Sequence, residues 1–136
     1  MKRLQNNHSK TQLIVEKANG DLFGRISIKG NLIVDSASTL EALKKKMKKL
    51  AKDFESVEID EFDITYDLTS FFEQHSYLSI SEVAFEARIS PGLMRQYSCG
   101  IKHPSEERIK IIEVAIRDIG KRLAKVKLHK PEKEYA

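Results

Sequence analysis

The sequence predicts an α+β chain in two parts, a small β-β-β-α-β sheet domain followed by an all-helical part. Three observations carry this. Short apolar runs broken at Asn19-Gly20 and Gly30-Asn31 read as an antiparallel meander. From Leu40 to Phe54 the apolar residues recur every three or four positions, the period of a helix lying on a sheet. After Leu68 the alternation stops, and Ser70, Ser79, Ser90 and Ser105 each stand where a helix would be capped.

Residues 1–10 read as a flexible tail, 11–68 as the sheet domain and 69–136 as the helical domain. Leu13-Ile14-Val15 is the first strand. Asn19-Gly20 is the strongest two-residue hairpin signal, because both positions accept positive φ. In the second strand Leu22, Gly24, Ile26 and Ile28 share one face, with Phe23, Arg25 and Ser27 on the other. Gly30-Asn31 gives the second turn and Leu32-Ile33-Val34 the third strand. Thr39 or Ser38 caps a helix whose stripe is Leu40, Leu43, Met47, Leu50, Ala51 and Phe54. Its other side carries Lys44, Lys45, Lys46, Lys48, Lys49 and Lys52, read as a solvated face. Phe62, Ile64, Tyr66 and Leu68 alternate with Asp63, Thr65 and Asp67 in a fourth strand.

In the second part, Ser70 with Glu73 and Ser79 with Glu82 are spaced as capping boxes. The helix Ile80–Ala87 turns Val83, Ala84 and Ala87 inward, small enough for a second helix to cross closely. Arg88-Ile89-Ser90 is the turn, with Ile89 as an apolar plug. Ser90 and Pro91 then start a short helix, since Pro suits the first helical position. Met94 and Tyr97 face inward and Gly100 stops it. Ser105, Glu106 and Glu107 open a long helix with a stripe of Ile109, Ile112, Ile116, Ile119 and Leu123. Ile111 and Val114 fall off that stripe. Val126 and Leu128 suggest a last short strand.

A short capped helix with a small polar outer face, after one short helix and before a long one, has the layout of a helix-turn-helix recognition helix. The positions that would meet bases are Pro91, Gly92, Arg95 and Gln96. Arg95 suits guanine and Gln96 adenine, each through paired hydrogen bonds. Pro91 and Gly92 offer apolar contact and close approach. Ser81, Ser90, Lys102 and His103 are the candidates for phosphate contacts, which position a protein on DNA without specifying sequence.

Charge placement agrees. Residues 1–76 hold 12 Lys/Arg against 12 Asp/Glu, and residues 77–136 hold 12 against 8, so the whole excess of +4 lies in the helical half. With 40% hydrophobic and 32% charged residues, a packed soluble core is expected. No apolar run approaches the roughly 18 residues of a membrane span, and the start of the chain lacks the apolar core of a signal peptide. A single cysteine, Cys99, excludes an internal disulfide and fits a reducing cytoplasm. Enzymatic readings find little support. Cys99 has no base near it in sequence. His8, His75, His103 and His129 lack metal-ligand spacing. Asp63 and Asp67 share a strand face by alternation alone, where metal-dependent hydrolysis needs several converging carboxylates. Neither a metal nor another cofactor is expected.

The order of parts resembles the HicB-like antitoxins, particularly the subfamily with a C-terminal helix-turn-helix. The matching pieces are the Asn-Gly hairpin, Thr39-Leu40-Glu41-Ala42, Phe62–Leu68, the run Ile89-Ser90…Leu93-Met94…Tyr97…Gly100…Pro104, and the tail Gly120…Leu123…Val126-Lys127-Leu128. Gly24 to Gly30 lacks the prolines that the family often has around its second and third strands. The resemblance covers about Gln12 to Leu128. It implies a partial RNase H-like first domain, double-stranded DNA as a partner, and a cytoplasmic regulator that binds its operator as a dimer and represses its own operon. The alternative it implies is a protein-interaction module that neutralises a small basic toxin nuclease through the sheet's outer face, with Asp63 and Asp67, and without specific DNA binding. For a homodimer or higher oligomer the sequence leaves two surfaces open, the face of Ile111 and Val114 or the edge strands of the first domain.

Overall fold

Two tight hairpins build the first half outward from its second strand. The computed structural model describes residues 10–132, in which the chain forms four strands and five helices. The expected tail falls outside the described residues except for Lys10. β1 (Thr11–Ala18), β2 (Asp21–Ile28) and β3 (Asn31–Ala37) form the antiparallel meander. Asn19 and Gly20 turn the chain with φ of 52° and 82°. The second turn is Lys29-Gly30, with φ of 53° and 81°, one residue earlier than the sequence suggested. A two-residue turn of this kind needs positive φ at both positions and favours Gly at the second. Asn31 is therefore already strand, opposite Ile28.

Helix α1 (Leu40–Glu55) starts on Thr39, whose hydroxyl accepts the Ala42 N–H at 3.1 Å. It carries the chain to β4 (Phe62–Tyr66), which lies parallel to β1 and gives the order β3-β2-β1-β4. One sheet face is covered. Leu13, Val15, Leu22, Ile26 and Ile28 meet Leu43, Met47 and Ala51 of α1, with Ile59 joining them. Gly24 has a specific role there: a Cβ on it would lie 2.9 Å from Leu43 Cδ2 and 3.1 Å from Leu13 Cδ1. Phe54 departs from the expected stripe and is 74% exposed. The chain turns off at Ser56, and Val57 and Ile59 pack on the core instead. The lysines of α1 are mostly exposed, and Lys44, Lys49 and Lys52 pair with Glu41, Asp53 and Glu58.

The boundary between the parts falls later than expected. The first compact unit runs to Ser76 and the second begins at Tyr77. Helix α2 (Leu68–Gln74) therefore belongs with the sheet. Its cap is Asp67, not Ser70: the Asp67 carboxylate accepts the Ser70 N–H at 2.9 Å and the Ser70 hydroxyl, and also the Lys17 N–H of β1 at 3.3 Å. Ser70 is fully buried, Phe72 is buried, and Lys17 Nζ pairs with Glu73 at 2.9 Å.

The second unit contains α3 (Ile80–Ala87), α4 (Pro91–Ser98) and α5 (Glu106–Ala124), with α3 packed against both others. Val83, Ala84, Ala87, Ile89, Met94, Tyr97, Ile112 and Ala115 are its buried apolar residues. Residues 125–132 form no strand, and Val126 and Leu128 are exposed. A strand needs a neighbouring edge to pair with, and the described part of this unit is all helix. Among the described residues no helix is long and apolar enough to cross a membrane.

Candidate nucleic-acid interface

The short helix α4 is fixed at both ends. Its first turn is capped by Ser90, whose hydroxyl accepts the Leu93 N–H at 3.2 Å, with Pro91 next. At its other end Gly100 adopts φ of 78°, so that the Ile101 N–H reaches the Gln96 carbonyl at 2.9 Å and the Gly100 N–H reaches the Tyr97 carbonyl at 3.1 Å. This is the two-bond ending that a left-handed glycine allows. Met94 is fully buried and Tyr97 nearly so, and the Tyr97 hydroxyl accepts a bond from Arg108 of α5 at 3.2 Å.

Helix α3 is joined to α4 by an equally defined corner. Ser79 caps α3 by accepting the Glu82 N–H. Arg88 takes φ of 59°, a left-handed conformation more usual for Gly. The Ile89 N–H then bonds the Ala84 carbonyl at 2.9 Å and its side chain is buried. Rigid placement of α4 thus follows from two caps, one plug and two buried side chains.

Of the base-contact candidates, Pro91, Gly92 and Arg95 are exposed, whereas Gln96 is half-buried. A Cβ on Gly92 would meet nothing within 4 Å, so its outer side is open. The phosphate candidates Ser81, Ser90, Lys102 and His103 are all exposed. Ser90 uses its oxygen lone pair in the cap, which leaves the hydroxyl hydrogen available. Among the described residues Arg95, Gln96, Lys102 and His103 form no side-chain hydrogen bond or ion pair. The two carboxylates assigned to the sheet's outer face part company. Asp63 is exposed on β4, opposite Gln12. Asp67 lies beyond the strand and is occupied as the α2 cap.

Two features depend on how α3 and α5 cross, although Ile111 and Val114 of the second already stand off the α5 stripe in sequence. The first is an ion pair between α3 and α5: Arg122 Nη1 and Nη2 donate to the two Glu86 carboxylate oxygens, at 3.1 and 2.8 Å. Hydrogen bonding from Arg122, aided by its charge and partly opposed by desolvation, holds the Glu86 carboxyl below its ordinary 4.5. The same pairing raises the Arg122 guanidinium. A carboxyl lowered on folding adds stability above its unfolded value and loses it as the pH falls through the folded one. Acid titration of the second unit should therefore show a small loss of stability below about 4.5 that Glu86→Gln lacks, read by urea midpoints across pH. The second feature is a groove between α3 and α5, lined by Ala87, Ile111, Val114 and Ala115 and flanked by charges. Residues 36 positions apart in sequence carry no local signal of such pairing.

Among the described residues no three His, Cys, Asp or Glu side chains converge as metal ligands would, and Cys99 is an exposed thiol at the end of α4. Comparison with protein-family models, curated proteins and solved structures found no match to the chain.

Proposed function

We propose that this chain is a dimeric, sequence-specific DNA-binding regulator of the HicB-like antitoxin type. In this reading α3 and α4 are its helix-turn-helix, α4 enters the major groove, and the protein represses its own operon. The observation that carries it is the setting of Arg95. It stands exposed on a helix fixed by Met94 and Tyr97, with Lys102 and His103 exposed in the loop that follows. A guanidinium held this way is suited to guanine O6 and N7, and the loop cations to flanking phosphates. With Gln96 half-buried, the reading rests on Arg95 for most of its base recognition, with phosphate contacts and dimerisation adding affinity.

Fluorescence anisotropy tests it, comparing the DNA upstream of the gene with a random duplex of equal length at fixed salt. The upstream DNA should bind more tightly. Arg95→Ala should cost about 1–3 kcal/mol and relax preference at one base. Lys102→Ala should weaken both duplexes alike and reduce the salt slope by about 1. Equal affinity of the wild type for both duplexes would sink the reading.

The second reading, neutralisation of a small basic toxin by the first domain, draws on a different observation. The sheet face away from α1 leaves Phe23, Leu32 and Val34 exposed, with Asp63 exposed on β4. Asp63 shares this face from the opposite edge of the sheet, and a face that combines apolar residues with a carboxylate suits a basic protein surface. Co-expression with any small basic protein encoded next to the gene tests it; separation on purification counts against it.

A further inference from the structure

We infer that α5 is the seam of the dimer, crossing the α5 of a second copy antiparallel with Val114 on the two-fold axis. This deepens the operator reading above and rests on it only for the need for a dimer. The face concerned is the one that the three-helix unit leaves uncovered. Val114 is 54% exposed and Ile111 49% exposed. They line a groove of about 350 Å³ whose other walls are Glu86 and Ala87 of α3, Arg88 of the turn after it, and Lys110, Ala115 and Asp118 of α5.

The occupant is identified by the order of charges along the helix. An antiparallel two-fold crossing at Val114 sets each residue before it opposite the residue equally far after it. Lys110 and Asp118 lie four positions either side and carry opposite charge. Glu107 and Lys121 lie seven positions either side and are again opposite. Lys110 and Asp118 flank Val114, and Glu107 and Lys121 lie in line with it two turns away; Glu107, Lys110 and Lys121 are exposed and Asp118 is half-buried. The crossing thus forms four attractive pairs along about 21 Å of helix. Arg117 and Ile111, three positions either side, meet through the aliphatic stem of the arginine. Parallel packing would set every charge beside its own copy. Antisymmetry about one apolar residue makes the face complementary to its own copy, as an isologous contact needs, since residue i of one copy meets residue j of the other and j meets i. A groove for an unrelated protein has no need of it. Ile111 and Val114 of each copy enter the other's groove, and the charges fix the register.

Charge exchange tests the seam. Lys110→Glu alone places like charges together twice per dimer, as does Asp118→Lys alone. Each should raise the dimer dissociation constant by about tenfold or more in sedimentation equilibrium. Mixed, the two variants should recover a dimer of mixed composition. The carboxylate introduced at position 110 of one copy then meets the ammonium introduced at position 118 of the other, and the unaltered Asp118 and Lys110 meet each other. Recovery on mixing cannot come from misfolding of either variant. Val114→Cys in a Cys99→Ser background should link to itself under mild oxidation, which a two-fold axis at this residue requires. Dimers that survive both single variants, or a wild type monomeric at all concentrations, overturn the inference. Loss of specific DNA binding with the mixing result intact overturns the operator reading and leaves the seam standing.

Discussion

Leu43→Ala should destabilise the first unit by about 2–5 kcal/mol, measured as a fall in urea midpoint followed by hydrogen exchange at β1 and β2 amides. Leu43 is fully buried, with its side chain packed over Gly24 of β2. Its methyl groups fill the space that a side chain at position 24 would occupy. Gly24→Val should therefore destabilise too, by about 1–3 kcal/mol, through crowding instead of a void. In combination the two changes should cost less than their sum, because the added methyl groups enter the cavity left by Leu43. A cycle in which the costs simply add would show that Gly24 and Leu43 do not share that space.

This contact illustrates what the sequence makes visible. Gly24 stands on the buried face of β2 by alternation, between Leu22 and Ile26, and the pattern gives its direction. It does not give the nearness of α1, which depends on two elements meeting. The same division runs through the chain. Thr39, Ser79, Ser90 and Ser105 act as caps because the cap is a contact over three residues, written within one short window. Helix α3 spans Ile80–Ala87, the limits its capping box and apolar spacing suggest.

Asp67 misleads because two local patterns overlap. Phe62 to Leu68 alternates perfectly, yet Asp67 followed three residues later by Ser70 is also a helix start, and the carboxylate takes that role. Position 29 misleads because Lys is an uncommon occupant of a positive-φ turn, so the turn reads one residue late. At the candidate interface, the exposure of Pro91, Gly92 and Arg95 follows from helical period, while the half-burial of Gln96 depends on its surroundings. The groove between α3 and α5 and the Glu86–Arg122 pair depend on how two helices cross, and no local window contains that crossing.

Met94→Ala should be the most damaging single truncation in the second unit, costing about 2–5 kcal/mol. Met94 is fully buried in a unit of about 60 residues whose other buried apolar residues include three alanines. So small a core has little redundancy, and the loss is a large share of the roughly 5–15 kcal/mol typical of a folded domain. The expected result is faster hydrogen exchange throughout α3, α4 and α5, with the amides of β1 and β2 changed far less, since the first unit keeps its own core. Set beside Arg95→Ala, this variant separates folding from recognition. Arg95 is exposed and makes no ion pair among the described residues, so its truncation should leave the unfolding transition within about 0.5 kcal/mol of wild type. Met94 touches no base in the proposed complex. Its truncation should weaken the upstream and random duplexes by the same factor, because it lowers the population of folded α4 without altering what that helix reads. Adjacent residues on one turn of helix should therefore give opposite signatures. A Met94→Ala protein that loses preference for the upstream DNA while keeping wild-type stability would contradict this division of roles.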